Sequence, residues 1–143
     1  MSAQGLEVID HTVHLTHEWI NDLTARLGWY SSRSALRLLR VTLQHLRDHL
    51  SPDELAQLSA QLPLLIRGMF FEGWVPKQTP IKERRAQAFA GYIASQMENT
   101  DEYRGAEDIA CVFALLNDRL SAGEIHDVRV SLSEDVRSLW PAP

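Results

Sequence analysis

His45 and His49 are the first pair in this chain whose type and spacing could do chemistry. One helical turn would set both imidazoles on the same face, where they could hold a metal. A second set, His11, His14 and His17 with Glu18 and Asp22, repeats the four-residue spacing in His14 and Glu18. Neither set is completed. At 100° per residue His45 and His49 lie about 200° and 240° from Leu43, nearly opposite the apolar stripe of their helix, and no further ligand stands within sequence reach. Two solvated histidines are expected there. His14 and Glu18, about 120° and 160° from Ile20, suit a surface pair. A zinc-protease signature would need a glutamate between two helical histidines, and it is absent. Neither a metal nor a cofactor is expected.

Arg33, Arg37, Arg40 and Arg47 form the sharpest charge feature, falling about 40° to 120° from Leu43 on one flank of a single helix. Such an edge could track phosphates or grip an acidic partner. The bland alternative is that these arginines are solvated or pair with neighbouring acids, Glu107 and Asp108 included. The run 67–74 holds Phe70, Phe71 and Trp74 with one carboxylate, Glu72. Phe70 and Phe71, adjacent on a helix, cannot both face one core. One aromatic is therefore left to cover other elements or to meet a partner, since aromatics dominate interface energetics. Cys111, the only cysteine, sits in an apolar run and reads as a small buried residue. The glycines form no phosphate cradle, and no nucleophile elbow or catalytic dyad is found. Nothing in the sequence positively supports an enzyme.

The elements that position these residues follow from apolar periodicity. A first helix over about residues 12–27 is expected from Val13, Ile20, Leu23 and Leu27, with Trp19 widening its face and Gly28 stopping it. A second carries Leu36, Leu39, Leu43, Leu46 and Leu50 at spacings of 3, 4, 3 and 4. Ser51-Pro52-Asp53-Glu54 and Ser121-Ala122-Gly123-Glu124 each read as a capping box, serine to the N3 amide and glutamate back to the cap. Pro63 and Ser133 open further short helices. A connector over 74–80, with two prolines, leads to helices near 82–97, 102–119, 122–130 and 133–139.

An offset of 70 residues relates two parts of the chain. Residues 46–70 laid on 116–140 give 7 identities in 25 positions: Leu46/Leu116, Asp48/Asp118, Leu50/Leu120, Ser51/Ser121, Glu54/Glu124, Leu62/Leu132 and Arg67/Arg137. Trp19/Phe89, Leu23/Ile93, Leu27/Met97, Leu39/Ile109 and Leu43/Phe113 extend the match upstream as apolar pairs. The expectation is an all-α single domain, 1–143, of about eight helices, built as two pseudo-symmetric four-helix repeats at approximately 8–74 and 78–143. Asp48 with Arg67, and Asp118 with Arg137, would form equivalent ion pairs. The arginine edge has no equivalent in the second unit, where Tyr103, Glu107, Ala110 and Asn117 stand.

Bulk properties narrow the classes. A net charge of −5 opposes wholesale phosphate binding, and a single cysteine excludes a disulfide framework. Residues 1–10 lack the positive start and apolar core of a secretory signal, and no apolar run nears spanning length, so cytoplasmic residence without membrane contact is expected.

Several runs together resemble one family: His17-Glu18-Trp19-Ile20, Leu46-Arg47-Asp48-His49-Leu50, Gln61 to Gly68, Phe70-Phe71-Glu72-Gly73-Trp74 and Asp135 to Pro141. The chain resembles the prokaryotic domain-of-unknown-function family numbered 2267 over nearly its whole length. The resemblance implies an all-helical domain and carries no assigned reaction, cofactor or catalytic residue. The leading functional expectation is therefore a non-catalytic interaction module. It would bind a protein partner or a second copy through Phe70, Phe71, Glu72 and Trp74, with Arg33, Arg37, Arg40 and Arg47 as an electrostatic companion. The alternatives are a nucleic-acid-associated protein using that arginine edge, and a small-ligand protein or enzyme with a cleft between the repeats.

Overall fold

A computed structural model describes residues 5–143, and every regular element among them is helical. The order is α1 (Glu7–Leu27), α2 (Ser32–Asp48), α3 (Pro52–Ala60), α4 (Leu64–Phe71), α5 (Ala86–Gln96), α6 (Ala106–Arg119), α7 (Ala122–Ser131) and α8 (Glu134–Arg137), with one 3-10 turn at Pro76–Gln78. No helix among the described residues is long and apolar enough to cross a membrane.

The caps expected at Ser51, Ser121 and Ser133 form, and Ser31 opens α2 in the same way. Ser31, Ser51, Ser121 and Ser133 each accept a hydrogen bond from the amide three residues on, removing one orphan donor from each helix start. Gly28 ends α1 at φ +69°, a left-handed conformation that strains any residue with a Cβ, and Trp29 N–H closes the end on the Thr24 carbonyl. The glutamate half of each capping box is not made. Ser121 N–H donates to Gln61 Oε1 instead, and Glu54 Oε1 and Glu124 Oε2 are buried with no hydrogen bond from any donor outside the two glutamates.

α2 lies at the centre and packs against α1, α4, α5 and α6. Ala35, Leu38, Leu39, Leu43, Leu46 and Leu50 are wholly buried, so the apolar band is broader than the expected stripe, and Leu36 is only half-buried. The other helices cross between the two ends of the chain: α1 rests on α6, α2 on α5, and α3 on α7. Arg26 bridges to Asp22 and Asp118, Arg119 reaches Asp22, and Arg104 donates to the Leu27 carbonyl, which ties the end of α1 to α6 and to the loop before it. Burial works against the Asp22 charge, but the bonds from Arg26 and Arg119 outweigh it and hold the carboxyl below its ordinary range.

Several boundaries differ from the sequence reading, each for a visible reason. α1 starts at Glu7, five residues before the expected Thr12, because Leu6 C=O already accepts from Ile9 and Asp10 N–H. α5 starts at Ala86 rather than Lys82: Glu83 Oε1 takes the Arg84 and Arg85 amides, and Asp135 takes that of Ala86. α6 starts at Ala106 rather than Glu102, since the Glu102 carboxylate caps Tyr30 and Ser31 and Gly105 turns the chain at φ +118°.

The expected Asp48/Arg67 and Asp118/Arg137 ion pairs are not formed. Asp48 pairs with Arg47 and Asp118 with Arg26. Arg67 donates to the carbonyls of Ser59 and Leu62, and Arg137 donates to those of Arg129 and Leu132, which are acceptors 70 residues apart in both cases. These arginines clamp the end of one short helix to the next.

Candidate functional site

The aromatic turn after α4 is held from below by α2. Phe70 is fully buried, while Phe71 and Trp74 lie half-buried against the core, their rings 5.7 Å apart. Trp74 Nε1 donates to Thr79 Oγ1, and Glu72 and Val75 are exposed. Arg47, only 3% exposed, threads beneath this turn and donates to the carbonyls of Phe70 and Glu72 at 2.7 and 2.8 Å, while its Nε meets Asp48. A guanidinium carries enough donors to satisfy two carbonyls and a carboxylate at once, so Arg47 acts as a structural staple. Asn117, 70 positions later, does related work: it donates to the Pro141 carbonyl and accepts from Trp140 Nε1.

The arginine edge therefore divides. Arg47 is buried, Arg40 pairs with Glu72 at 2.6 Å, and Arg33 and Arg37 are exposed without an ion pair among the described residues. Glu107 and Asp108, which the sequence offers as partners, are taken by Arg104.

A cleft of about 450 Å³ between α2 and α5 is lined by Arg37, Arg40, Val41, Gln44, Ser95 and Gln96 among others. Three of its seven polar lining residues are committed elsewhere: Gln44 donates to the Met69 carbonyl, Ser95 to that of Tyr92, and Arg40 to Glu72.

His45 does not face water, contrary to the sequence expectation. It is 6% exposed, its ring stacked on Tyr92 at 4.2 Å and tilted against Phe89 at 4.6 Å, because α5 covers the flank of α2 opposite the leucines. Burial, with the neighbouring His49 second, pushes its pKa down to about 3, so the imidazole is neutral at physiological pH. His49 lies half-buried beside it with Nδ1 2.8 Å from the His45 carbonyl. His14 and Glu18 form the expected exposed pair at 3.3 Å. Cys111 is half-buried, its thiol aimed at the Arg26 carbonyl, and burial raises its pKa.

Two features escaped the sequence reading. The first is on α1. Relative to Ile20, the positions Leu6, Ile9, Val13, Thr16, Leu23 and Leu27 all fall within about 60° at 100° per residue, one continuous face. From Thr16 onward that face is buried, yet Leu6, Ile9 and Val13 are 51%, 48% and 40% exposed. Leu64 and Leu65 at the start of α4 are exposed as well, and Leu65 N–H donates to Thr12 Oγ1, which fixes them beside this end of α1. Carrying the period upstream of Thr12 would have found the stripe.

The second lies where α3 packs on α7. One carboxylate oxygen from each of Glu54, Glu124 and Asp127 can be chosen so that all lie within 4.8 Å of one another. Glu124 is buried, Glu54 half-buried and Asp127 exposed. Burial first, and the Glu54 carboxylate second, raise the Glu124 pKa to about 7. The signal in the sequence was the Glu54/Glu124 identity itself, a charged residue kept at matching positions.

The family model described as an uncharacterized conserved protein, DUF2267, matches residues 16–139. No curated protein matches the chain.

Proposed function

Since the chain belongs to DUF2267, a family whose description assigns no reaction, we propose its function from its own surfaces: a cytoplasmic, non-catalytic helical module that binds a protein partner, in the first instance a second copy of itself. The observation that carries this reading is the exposed end of the α1 stripe. A helix face that serves as core from Thr16 to Leu27 continues into solvent with the same aliphatic chemistry at Leu6, Ile9 and Val13, and Leu64 and Leu65 widen it. Contiguous apolar exposure of this kind marks association sites. Covering five half-exposed aliphatic side chains would contribute roughly 4–6 kcal/mol before the cost of association, which suits a weak, exchangeable contact.

The turn formed by Phe70, Phe71, Glu72 and Trp74 supports a second docking surface. Phe70 and Arg47 would stand behind it, Phe71, Trp74 and Val75 would present the apolar contact, and Arg33 and Arg37, about two turns and one turn along α2 from the Arg40 that pairs with Glu72, would be the free charges. Nucleic-acid binding has less support, because two of the four arginines of that edge are already committed to Glu72, Asp48 and backbone carbonyls. We read the chain as one domain in which two related units, about 8–74 and 78–143, are interleaved.

Sedimentation velocity across a concentration series tests the proposal. The wild type should show a concentration-dependent rise in sedimentation coefficient, and Ile9→Glu with Val13→Glu should abolish it while leaving the circular dichroism melt unchanged. A wild type that stays monomeric up to millimolar concentration would remove self-association through α1. The pair Phe71→Ala and Trp74→Ala reports on the second surface in the same experiment.

A further inference from the structure

We propose that Glu54, Glu124 and Asp127 form a binding site for a hard divalent cation of the calcium or magnesium class. The three carboxylates offer ligand oxygens all within 4.8 Å of one another. Oxygens around one calcium ion, each about 2.3–2.6 Å from it, span separations up to about 5 Å, so the spacing suits a single ion.

Acidic clusters are common on protein surfaces, and what distinguishes this one is its buried member. Glu124 is 7% exposed, and its Oε2, like Oε1 of Glu54 on the opposing helix, is buried with no hydrogen bond from any donor outside the two glutamates. An ionised carboxylate out of water costs several kcal/mol unless something answers its charge. No lysine, arginine or histidine forms an ion pair with any of the three residues among those described. The capping role that would have explained these glutamates is not filled, since the Ser121 amide is bonded to Gln61.

The helix starts position the site. Ser51 and Ser121 cap α3 and α7, and each glutamate is the third residue of its helix. The packing of α3 on α7 turns both carboxylates toward the same space. Asp127 lies one turn along α7 from Glu124 and is exposed, which leaves that side of the ion open to water ligands. Carboxylates and water are the ligands of calcium and magnesium, whereas zinc and copper sites draw on histidine and cysteine.

The rival explanation is that Glu54 and Glu124 share a proton, which the raised proton affinity of Glu124 would permit. A proton cannot serve Asp127 as well, and at alkaline pH the proton is lost while a cation is retained. Calcium chloride and magnesium chloride should therefore be titrated into the whole protein at pH 8, at fixed ionic strength, by isothermal calorimetry and by thermal melting. Saturable binding of one ion per chain is expected, with a dissociation constant of about 10⁻⁴–10⁻³ M, together with a rise in melting temperature that sodium chloride does not reproduce. Glu124→Gln should weaken binding at least tenfold and raise the cation-free melting temperature, because one like charge is gone. Asp127→Asn, at an exposed position, should weaken binding without altering the cation-free melt. Absence of saturable binding at pH 8, or binding unchanged in both variants, would overturn the proposal and leave a proton-sharing pair.

Discussion

Replacing His45 with phenylalanine should change how the stability of this protein depends on acid. In the folded chain the imidazole titrates near 3, against 6.5 for the free side chain. Between these values the unfolded state binds a proton that the folded state refuses, so acid favours unfolding. The contribution of His45 is fully present above pH 6.5 and is lost as pH falls toward 3. At 1.36 kcal/mol per pH unit, the loss between neutral pH and pH 5 is about 2 kcal/mol. Phenylalanine is also a flat ring, though a larger one, can pack against Tyr92 and Phe89, and carries no titratable proton. Urea unfolding of both proteins at pH 8, 7, 6 and 5 gives the relevant quantity, the difference between their stabilities, in which any fixed effect of the substitution is a constant. That difference should move by about 2 kcal/mol in favour of the variant on going to pH 5. The wild-type curve alone is less informative, because Glu124, held up to about 7, contributes in the opposite sense and loses its share as pH rises. A difference that stays constant within about 0.5 kcal/mol from pH 8 to 5 would refute the buried, neutral imidazole.

The other expectations concern the arginines, and with the α1 surface and the cation site they complete the set. Arg47→Met should cost about 3 kcal/mol in urea unfolding, since it leaves the Phe70 and Glu72 carbonyls and the Asp48 carboxylate without their donor; a loss below 1 kcal/mol would show that water replaces the guanidinium freely. Arg67→Ala and Arg137→Ala should each cost about 1–2 kcal/mol, and by similar amounts, because they make matching pairs of bonds to backbone carbonyls. Losses differing by more than twofold would count against treating the two as equivalent.

The helices of the described residues were legible because apolar period marks the longer ones and a serine cap opens four of them, information held within a dozen neighbouring residues. The caps at Ser51, Ser121 and Ser133 and the stop at Gly28 stand where expected, and the family resemblance is matched over residues 16–139. What could not be read was how many neighbours each helix has. A wheel drawn for α2 marks the face opposite its leucines as wet, but α5 lies on it, so His45 became core. Arg47 went the same way, since its acceptors are carbonyls on α4 and the turn beyond, and no side-chain pattern announces a carbonyl. The α5 and α6 starts failed because Glu83, Glu102 and Asp135 bond amides locally or across the fold in preference to helix propagation. The carboxylate cluster needed the packing of α3 on α7, a contact between residues 70 apart in sequence.

The crossing of helices between the two ends of the chain also sets the order in which it can form. α2 needs α5 and α6 to cover its flanks, α1 needs α6, and α3 needs α7. At synthesis rates of about 5–20 residues per second, the leucine-rich faces of α1 and α2 leave the ribosome several seconds before their covering helices do. Closing such distant contacts is slow compared with forming local helix pairs. During that interval α1, α2 and α3 each lack a helix they pack against, so the dangerous moment comes in mid-translation, before the later helices have emerged.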